Sequence, residues 1–407
     1  MDSLTRKKRV LILMTKAGGG HLASARALKS AFDTRYGERL DVDIVDLWMD
    51  HTPWPLNQLP KTYRFTVGNA PWIHELYYEV GKNRRVARSL MRAACGFARE
   101  TLTHAIEQYD PDLMLSVHPL LQRIPLQVTR QMRRSIPLVT VITDLVSIHP
   151  TWFEPEAMLC FVPTDEARAL ALKAGIDPSR IRQYGLPIRP VFAEPSPPKT
   201  EVRRRLGLAV DLDTVLIVGG GDGVGPVRDT AQAIAHRFST ATEGGCPSGC
   251  QMVIVCGRNE KLRISLQGVS WPIPTEVLGF VDEIWDWMAA SDCVVTKAGP
   301  GTIAESLTRG LPMVISGYIP GQEEGNVSYV QDHQVGVFET DPNRIADTVA
   351  RWFGDDRAEL ILMSRRCHTL ARPRATIEIV DETTRHLGET PPAPWEEPRV
   401  LWRSVLP

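Results

Sequence analysis

Three residues of the stretch TKAGPGTIAESLTRGLP, positions 296 to 312, could do chemistry: Lys297, Thr302 and Glu305. They surround a junction where the β-branched run CVVTK meets the turn AGPG and a helical pattern that Gly310 stops. A strand followed by a glycine turn and a helix start leaves backbone N–H groups unpaired at the positive end of the helix dipole. That is phosphate-binding chemistry, and it draws in Gly299, Pro300 and Gly301. Thr302 and Glu305 also have the T-x-x-E spacing of a capping box, which explains both without a ligand. A carboxylate beside phosphate is unfavourable unless it reaches past it to a pair of hydroxyls, such as a ribose diol.

Other turns repeat the pattern. TKAGGGHLASARALKSAF places Gly18, Gly19, Gly20 and His21 at the start of a helix whose Leu22, Ala25, Leu28 and Phe32 share a face. Three glycines let a ligand approach the backbone, although a flexible turn with a capping histidine would look the same. This is not a P-loop, because the G-x4-G-K-[ST] spacing is missing. VGGGDGVGPVRDT holds glycines 219, 220, 221, 223 and 225, which suit an anion nest but never match G-x-G-x-x-G. Asp222 within it would repel phosphate and suits a sugar hydroxyl or a neighbouring N–H. GYIPGQEEGNVSYV adds Gln322, Glu323 and Asn326, acceptors of the kind used on hydroxyl-rich ligands and also of the kind found on solvated loops. Candidate general bases are Asp144 and His149 in VITDLVSIHPTWFEP, with Trp152 beside them, and His118 ends another strand.

These residues need elements to hold them. Short continuous apolar runs alternate with helical patterns in both halves: RVLILM, VDIVDL, DLMLSV, PLVTVIT, MLCFV and IRQYG, then TVLIVGG, MVIVCG, EVLGF, CVVTK, MVIS and VGVF. The pattern predicts an α/β protein with two doubly wound parallel sheets covered by helices on both faces. The proline-rich, charged segment 189–208 reads as a linker. The expected units are 1–188, for acceptor and membrane, 189–385, for the nucleotide sugar, and a proline-rich tail, 386–407. Ligands of such sheets bind beyond the carboxyl ends of strands, so the glycine turns should converge on a cleft between the units.

A chain of 407 residues with 43% hydrophobic and 23% charged residues is an ordinary globular composition, long enough for two cores. Its net charge of −1 excludes a globally basic nucleic-acid binder. Seven cysteines without a repeated spacing suit a reducing compartment, and Cys246 and Cys250 in CPSGC read as a surface loop rather than a metal site. The basic N-terminus precedes only VLILM before TKAGGGH, which fits a buried first strand better than a signal peptide. The expectation is a cytosolic protein able to meet a membrane surface. Between Lys61 and Arg99 eight basic residues face two acidic ones, with Trp54, Tyr63, Phe65, Trp72, Tyr77 and Tyr78 nearby. In RRVARSLMRAACGFAR the helical period puts Val86, Leu90, Ala94 and Phe97 on one side and Arg85, Arg88, Arg92 and Arg99 on the other. Basic and aromatic residues together suit an anionic bilayer surface, against the plainer reading of a solvated helix face.

Taken together, GGGHLASARAL, TDLVSIHPTWF, GGGDGVGP, VCGRNEKL, LGFVDEIWDWMAASDCVVTKAGPGTIAE and GQEEGNV resemble the monogalactosyldiacylglycerol synthases over most of residues 8–340. That glycosyltransferase family is related to the peptidoglycan enzyme that glycosylates lipid I. The resemblance implies the two-domain GT-B fold, a UDP-sugar donor, a diacylglycerol acceptor, inversion of the anomeric centre and no catalytic metal. It implies Glu305 on the ribose, Gly299, Gly301 and Thr302 on the pyrophosphate, and Gln322, Glu323 and Asn326 on the donor sugar and its phosphate. It implies Arg258 and the backbone around Phe280 framing uracil, and Gly18, Gly19, Gly20 and His21 at the junction of donor and acceptor. His21 or Asp144 would take the proton of the diacylglycerol 3-hydroxyl. The resemblance favours UDP-galactose as donor, similarity to diacylglycerol glucosyltransferases keeps UDP-glucose as the alternative, and oligomeric state is not legible. Plant members carry transit peptides; their lack here implies a bacterial enzyme on the inner face of the cell membrane. A UDP-sugar 2-epimerase of the same fold, a nicotinamide oxidoreductase and a non-catalytic binding protein are the rivals.

Overall fold

The computed structural model describes residues 6–16, 19–60, 84–221, 223, 225–241, 249–354 and 356–388. Among these, all twelve expected strands form. The first sheet contains β1 (Lys8–Met14), β2 (Leu40–Asp46), β3 (Leu113–Ser116), β4 (Leu138–Val141), β5 (Leu159–Val162) and β6 (Ile181–Gln183), in the order β2-β1-β3-β4-β5-β6. The second contains β7 (Asp213–Val218), β8 (Cys250–Val255), β9 (Thr275–Leu278), β10 (Cys293–Lys297), β11 (Met313–Gly317) and β12 (Gly336–Phe338), in the order β12-β11-β10-β7-β8-β9. Every pairing in both sheets is parallel. The continuous apolar runs are explained by burial on both faces, complete along β8 and along the last five residues of β1. Each fully buried Val, Leu or Ile contributes about 1.5–3 kcal/mol, so these strands tolerate no polar alternation.

Strand order reverses at β1/β3 in the first sheet and at β7/β10 in the second. Crevices at such switch points are where doubly wound sheets bind ligands. The turn after β1 carries His21, and His118 follows β3; the glycine loop follows β7, and Gly299 follows β10. The topology therefore brings the motif residues of each sheet to its own crevice.

The helices that follow the motifs, bear the basic face or tie the lobes together are α1 (Gly19–Tyr36), α2 (Arg84–Phe97), α3 (Val227–Ala241), α4 (Pro300–Thr308), α5 (Glu324–Asp332) and α6 (Ala375–Arg385). Two expectations need correction here. The last helix does not stay with the second unit: Ile379 and Val380 of α6 are buried in the first lobe's core with Val10, Ile12, Leu28 and Phe32. Arg35 and Tyr36 both donate to Asp381 at 2.8 Å, and Arg182 donates to Glu382 at 3.0 Å. The boundary at residue 385 therefore fails, because an apolar stripe on α6 completes the first lobe. On α2 the buried side is turned from the one expected: Cys95 joins the core with Met91 and Ala94 against it, whereas Leu90 and Phe97 are 59% and 61% exposed. Arg92 is exposed with them. Of the tail, residues beyond 388 lie outside the described part of the chain.

Candidate active site

The loop after β7 and the turn after β8 are built around each other. Gly223 has φ +61°, and a Cβ there would lie 2.2 Å from the Cys256 carbonyl oxygen and 2.6 Å from Asn259 Cβ. On the opposite side, Gly257 (φ +57°) comes so close that a Cβ would meet the Gly220 oxygen at 2.4 Å. Asn259 Nδ2 donates to Gly223 O at 3.2 Å, and the Arg258 amide donates to Gly221 O at 3.0 Å. Glycine at 223 and 257 is thus a packing requirement, whereas a Cβ at Gly225 would meet nothing within 4 Å. Next to this nest the Arg258 guanidinium lies 4.5 Å from the centre of the Phe280 ring, and Phe280 is 44% exposed. The pair forms a flat, half-open platform suited to a planar ring. Asp222 lies outside the described residues.

At the turn after β10, Gly299 is the N-cap of α4, and no side chain caps the helix. The capping box of Thr302 and Glu305 is therefore not formed, which corrects one expected reading. Pro300 takes the first helical position, where its missing N–H costs nothing, so Thr302 falls inside the helix. The first-turn N–H groups of Gly301 and Thr302 have no partner within the helix. A Cβ on Gly301 would meet nothing within 4 Å, so neither packing nor backbone conformation demands glycine there. Open space over a helix start is what an approaching anion needs. Lys297 Nζ is ion-paired with Glu323 Oε1 directly over this turn, 3.2 Å from where a Gly299 Cβ would sit. Glu323 is only 4% exposed, and its other oxygen accepts from the Ile319 amide at 3.0 Å. Asn326 lies beneath the turn, its Nδ2 donating to Ala298 O at 2.9 Å. Glu305 faces Arg189, whose Nη1 donates to it at 3.3 Å. Burial nevertheless raises the Glu305 carboxyl to about 7, with Arg189 and Arg309 opposing the rise.

In the first lobe His21 stands in the opening turn of α1. Its Nδ1 lies 2.8 Å from Thr143 Oγ1, and that hydroxyl donates to the Val117 carbonyl at 3.3 Å. With the hydroxyl hydrogen so used, the ring hydrogen belongs on Nδ1 and the lone pair on Nε2. Burial lowers the His21 pKa to about 4, partly offset by a hydrogen bond to the Val117 backbone, so the ring is neutral at pH 7. The His118 ring meets it edge-on at 4.6 Å and the Trp152 ring lies 6.0 Å away. Trp152 is fully buried and its Nε1 donates to Asp144 Oδ2 at 2.5 Å. Asp144 is raised to about 7, first by burial and also by Glu323, against hydrogen bonds from Trp152 and Gln322. Gln322 and Glu323 belong to the second lobe, so the two halves of the site touch at Asp144.

Some expected residues take humbler roles. His118 is buried and caps a short turn, its Nδ1 accepting from the Leu120 amide at 3.3 Å. His149 does the same for the Thr151 amide at 3.3 Å, with Thr151 Oγ1 at 2.7 Å. Gly19 and Gly20 lie in α1, where a Cβ would meet nothing within 4 Å, and Gly18 lies outside the described residues. So do the side chains of Arg85 and Arg88. Sequence reasoning missed Arg189, hidden in what reads as a linker, and Thr143, a β-branched residue indistinguishable from its strand neighbours.

Residues 21–188 match the family model for monogalactosyldiacylglycerol synthase, and residues 214–338 match the glycosyltransferase family 28 C-terminal domain. Monogalactosyldiacylglycerol synthase 1, chloroplastic, of Arabidopsis thaliana is 45% identical over 379 residues, covering 93% of this chain and 70% of that protein. The chloroplastic enzyme of Spinacia oleracea is 44% identical over 377 residues, covering 92% and 72%. Among solved structures, MurG of Acinetobacter baumannii superposes with a TM-score of 0.57 at 15% identity, covering 93% of this chain and 99% of that one. The calicheamicin glycosyltransferase CalG4 gives the same score at 15% identity, covering 95% and 100%. At that identity the likeness shows the GT-B fold. The relatives overturn the expected location on the inner face of a bacterial cell membrane, since these plant proteins are named as chloroplastic.

Proposed function

The chain belongs to the monogalactosyldiacylglycerol synthase family and is a glycosyltransferase of galactolipid synthesis; from that premise we propose how its residues move galactose from UDP-galactose to the 3-hydroxyl of diacylglycerol. One observation carries the mechanism: the donor-side residues Gln322 and Glu323 meet the acceptor-side Asp144, with His21 one tryptophan ring away. The donor is laid along the second sheet's crevice. The Arg258–Phe280 platform takes uracil, Glu305 takes the ribose hydroxyls, and the N–H groups at Gly301 and Thr302 take the diphosphate. Lys297 adds a cation beside that turn. Gln322 and Glu323 reach the sugar's hydroxyls.

The reaction is a single in-line displacement with inversion. His21 Nε2 accepts the hydroxyl proton as the oxygen attacks the anomeric carbon, while the bond to the diphosphate breaks. His21 alone is a weak base because of its lowered pKa. The donor's negative charge and an ionised Asp144 both raise its affinity for the proton in the closed complex. Charge developing on UDP is met by the helix start and Lys297, dipoles and a cation that need no rearrangement. No metal has to supply that role, and activity is expected to survive a chelator. Exposed Leu90 and Phe97 on one side of α2 and exposed Arg92 on the other leave both apolar and basic groups uncovered on this helix, as a bilayer surface requires, and we assign the helix to contact with anionic lipid.

The test is to offer diacylglycerol vesicles with UDP-galactose and UDP-glucose in separate reactions and identify the glycolipid and its anomeric configuration. The reading expects β-galactosyldiacylglycerol. A glucolipid as sole product would move the donor assignment, and UDP-sugar epimerised without lipid would sink the reading.

A further inference from the structure

We propose that Ser147 is a positioning residue for the transfer: it accepts the amide hydrogen of Gly325 and so latches the donor-side loop 319–325 onto the acceptor lobe, carrying Gln322 and Glu323 to Asp144. The inference rests on the galactosyltransferase reading and deepens it. Ser147 Oγ lies 2.8 Å from the Gly325 amide, although the residues stand 178 positions apart and on different lobes. Gly325 is in the first turn of α5, whose own N-cap, Glu323, offers no side-chain hydrogen bond. An amide that a capping side chain normally satisfies is here satisfied from across the cleft. The approach is close enough to dictate residue type. A Cβ on Gly325 would lie 2.6 Å from Ser147 Oγ, 3.2 Å from Val146 Cγ1 and 3.4 Å from the Ser147 amide nitrogen.

Both ends of this contact stand next to the chemistry. Ser147 follows Asp144 by three residues, and Gly325 follows Glu323 by two. The chain between is anchored: Leu145 is 4% exposed and packs among second-lobe residues such as Ile303 and Val327. Its carbonyl accepts from Thr164 Oγ1 at 2.9 Å. Removing the serine hydroxyl therefore loosens the latch without removing the apolar contact beneath it. The groups facing Asp144 are Trp152 from its own lobe and Gln322 and Glu323 from the other, with Lys297 holding Glu323. With the latch loosened, Asp144 regains water and loses the charge of Glu323. Both changes make its carboxyl ionise more readily, and they outweigh the lost bond from Gln322.

Ser147→Ala is expected to lower kcat about five- to tenfold, the value of one hydrogen bond. UDP affinity by calorimetry should stay within about twofold, because the platform and the α4 turn are untouched. The acid limb of kcat should move to lower pH, and Ser147→Thr, which keeps the hydroxyl, should restore both limb and rate. Gly325→Ala, which attacks the same contact from the other lobe, should reproduce the loss of kcat at parental UDP affinity. Amide hydrogen exchange of the UDP-bound protein supplies a readout without turnover: segment 319–326 should exchange faster in Ser147→Ala than in the parent. Unchanged exchange, an unchanged acid limb, or loss of UDP affinity in both variants would overturn the latch. Failure of the parent to make galactolipid would count against the galactosyltransferase reading instead, and the exchange comparison would still decide the latch.

Discussion

His21 and Asp144 show how far one residue's surroundings decide its use. His21→Ala should lower kcat by roughly 100- to 10,000-fold, the usual worth of a positioned proton acceptor, with UDP affinity by calorimetry unchanged. A full kcat in that variant would remove His21 from the chemistry. Asp144 gives a second, opposite signature. Its carboxyl sits at about 7 instead of 3.8 because burial disfavours the anion. The folded protein thus holds a proton that the unfolded chain releases, so stability contributed by this group falls as pH rises from about 4 to about 7. Ionising it in place costs about 4 kcal/mol above pH 7. Asp144→Asn should therefore raise the melting temperature at pH 8, change it little at pH 4, and lower kcat. A variant no more stable than the parent at pH 8 would show that the carboxylate is better solvated than its 6% exposure indicates. The residue types were legible in the sequence because Asp, His and Trp crowd into TDLVSIHPTW. What each does was not, since His149 and His118 become caps through turn geometry that spacing does not encode.

At the scale of elements, the glycines divide into two kinds that a sequence writes with the same letter. Gly257 is forced by φ +57° and by the Gly220 oxygen, whereas Gly301 is forced by nothing in the chain itself. Gly257→Ala should destabilise the protein by about 1–3 kcal/mol, read as a lowered urea midpoint, and disturb UDP binding with it. Gly301→Ala should leave the midpoint unchanged or slightly raised and weaken UDP about tenfold, because a methyl group would stand over the helix start. Parental UDP affinity in Gly301→Ala would mean that the α4 turn is not the diphosphate site. The twelve strands were legible because short continuous apolar runs alternate with helical patterns and leave no competing period. The capping box failed because Pro300 starts α4 earlier than the T-x-x-E spacing assumes. The face of α2 failed for another reason. Apolar residues recur at helical spacing on two sides, and the small Cys95 and Ala98 fit the close approach to the core better than Leu90 and Phe97.

The whole molecule closes on itself in a way that no local pattern announces. The sequence divides cleanly into two βα halves, yet α6 crosses back over some 346 residues of separation to bond Arg35. Asp381 receives three hydrogen bonds from Arg35 and Tyr36 while only 17% exposed, against 8% for Arg35. Thr376 Oγ1 donates to Ile188 O at the crossing point, so the chain is pinned where it passes between lobes. Composition could not reveal this, because an amphipathic helix at the end of a chain shows which face it buries but not against what. The consequence is measurable. A chain shortened after Ala371 loses Ile379 and Val380 from the first lobe's core and leaves Arg35 buried without its partner, a loss of about 3–5 kcal/mol for the ion pair alone. Almost every proposed UDP contact, from Gly220 to Asn326, stays within the remaining second lobe. The shortened chain should therefore bind UDP while its first lobe becomes sensitive to protease and galactolipid synthesis disappears. If proteolysis instead leaves the first lobe intact, α6 is an attachment and the first sheet is stable without it.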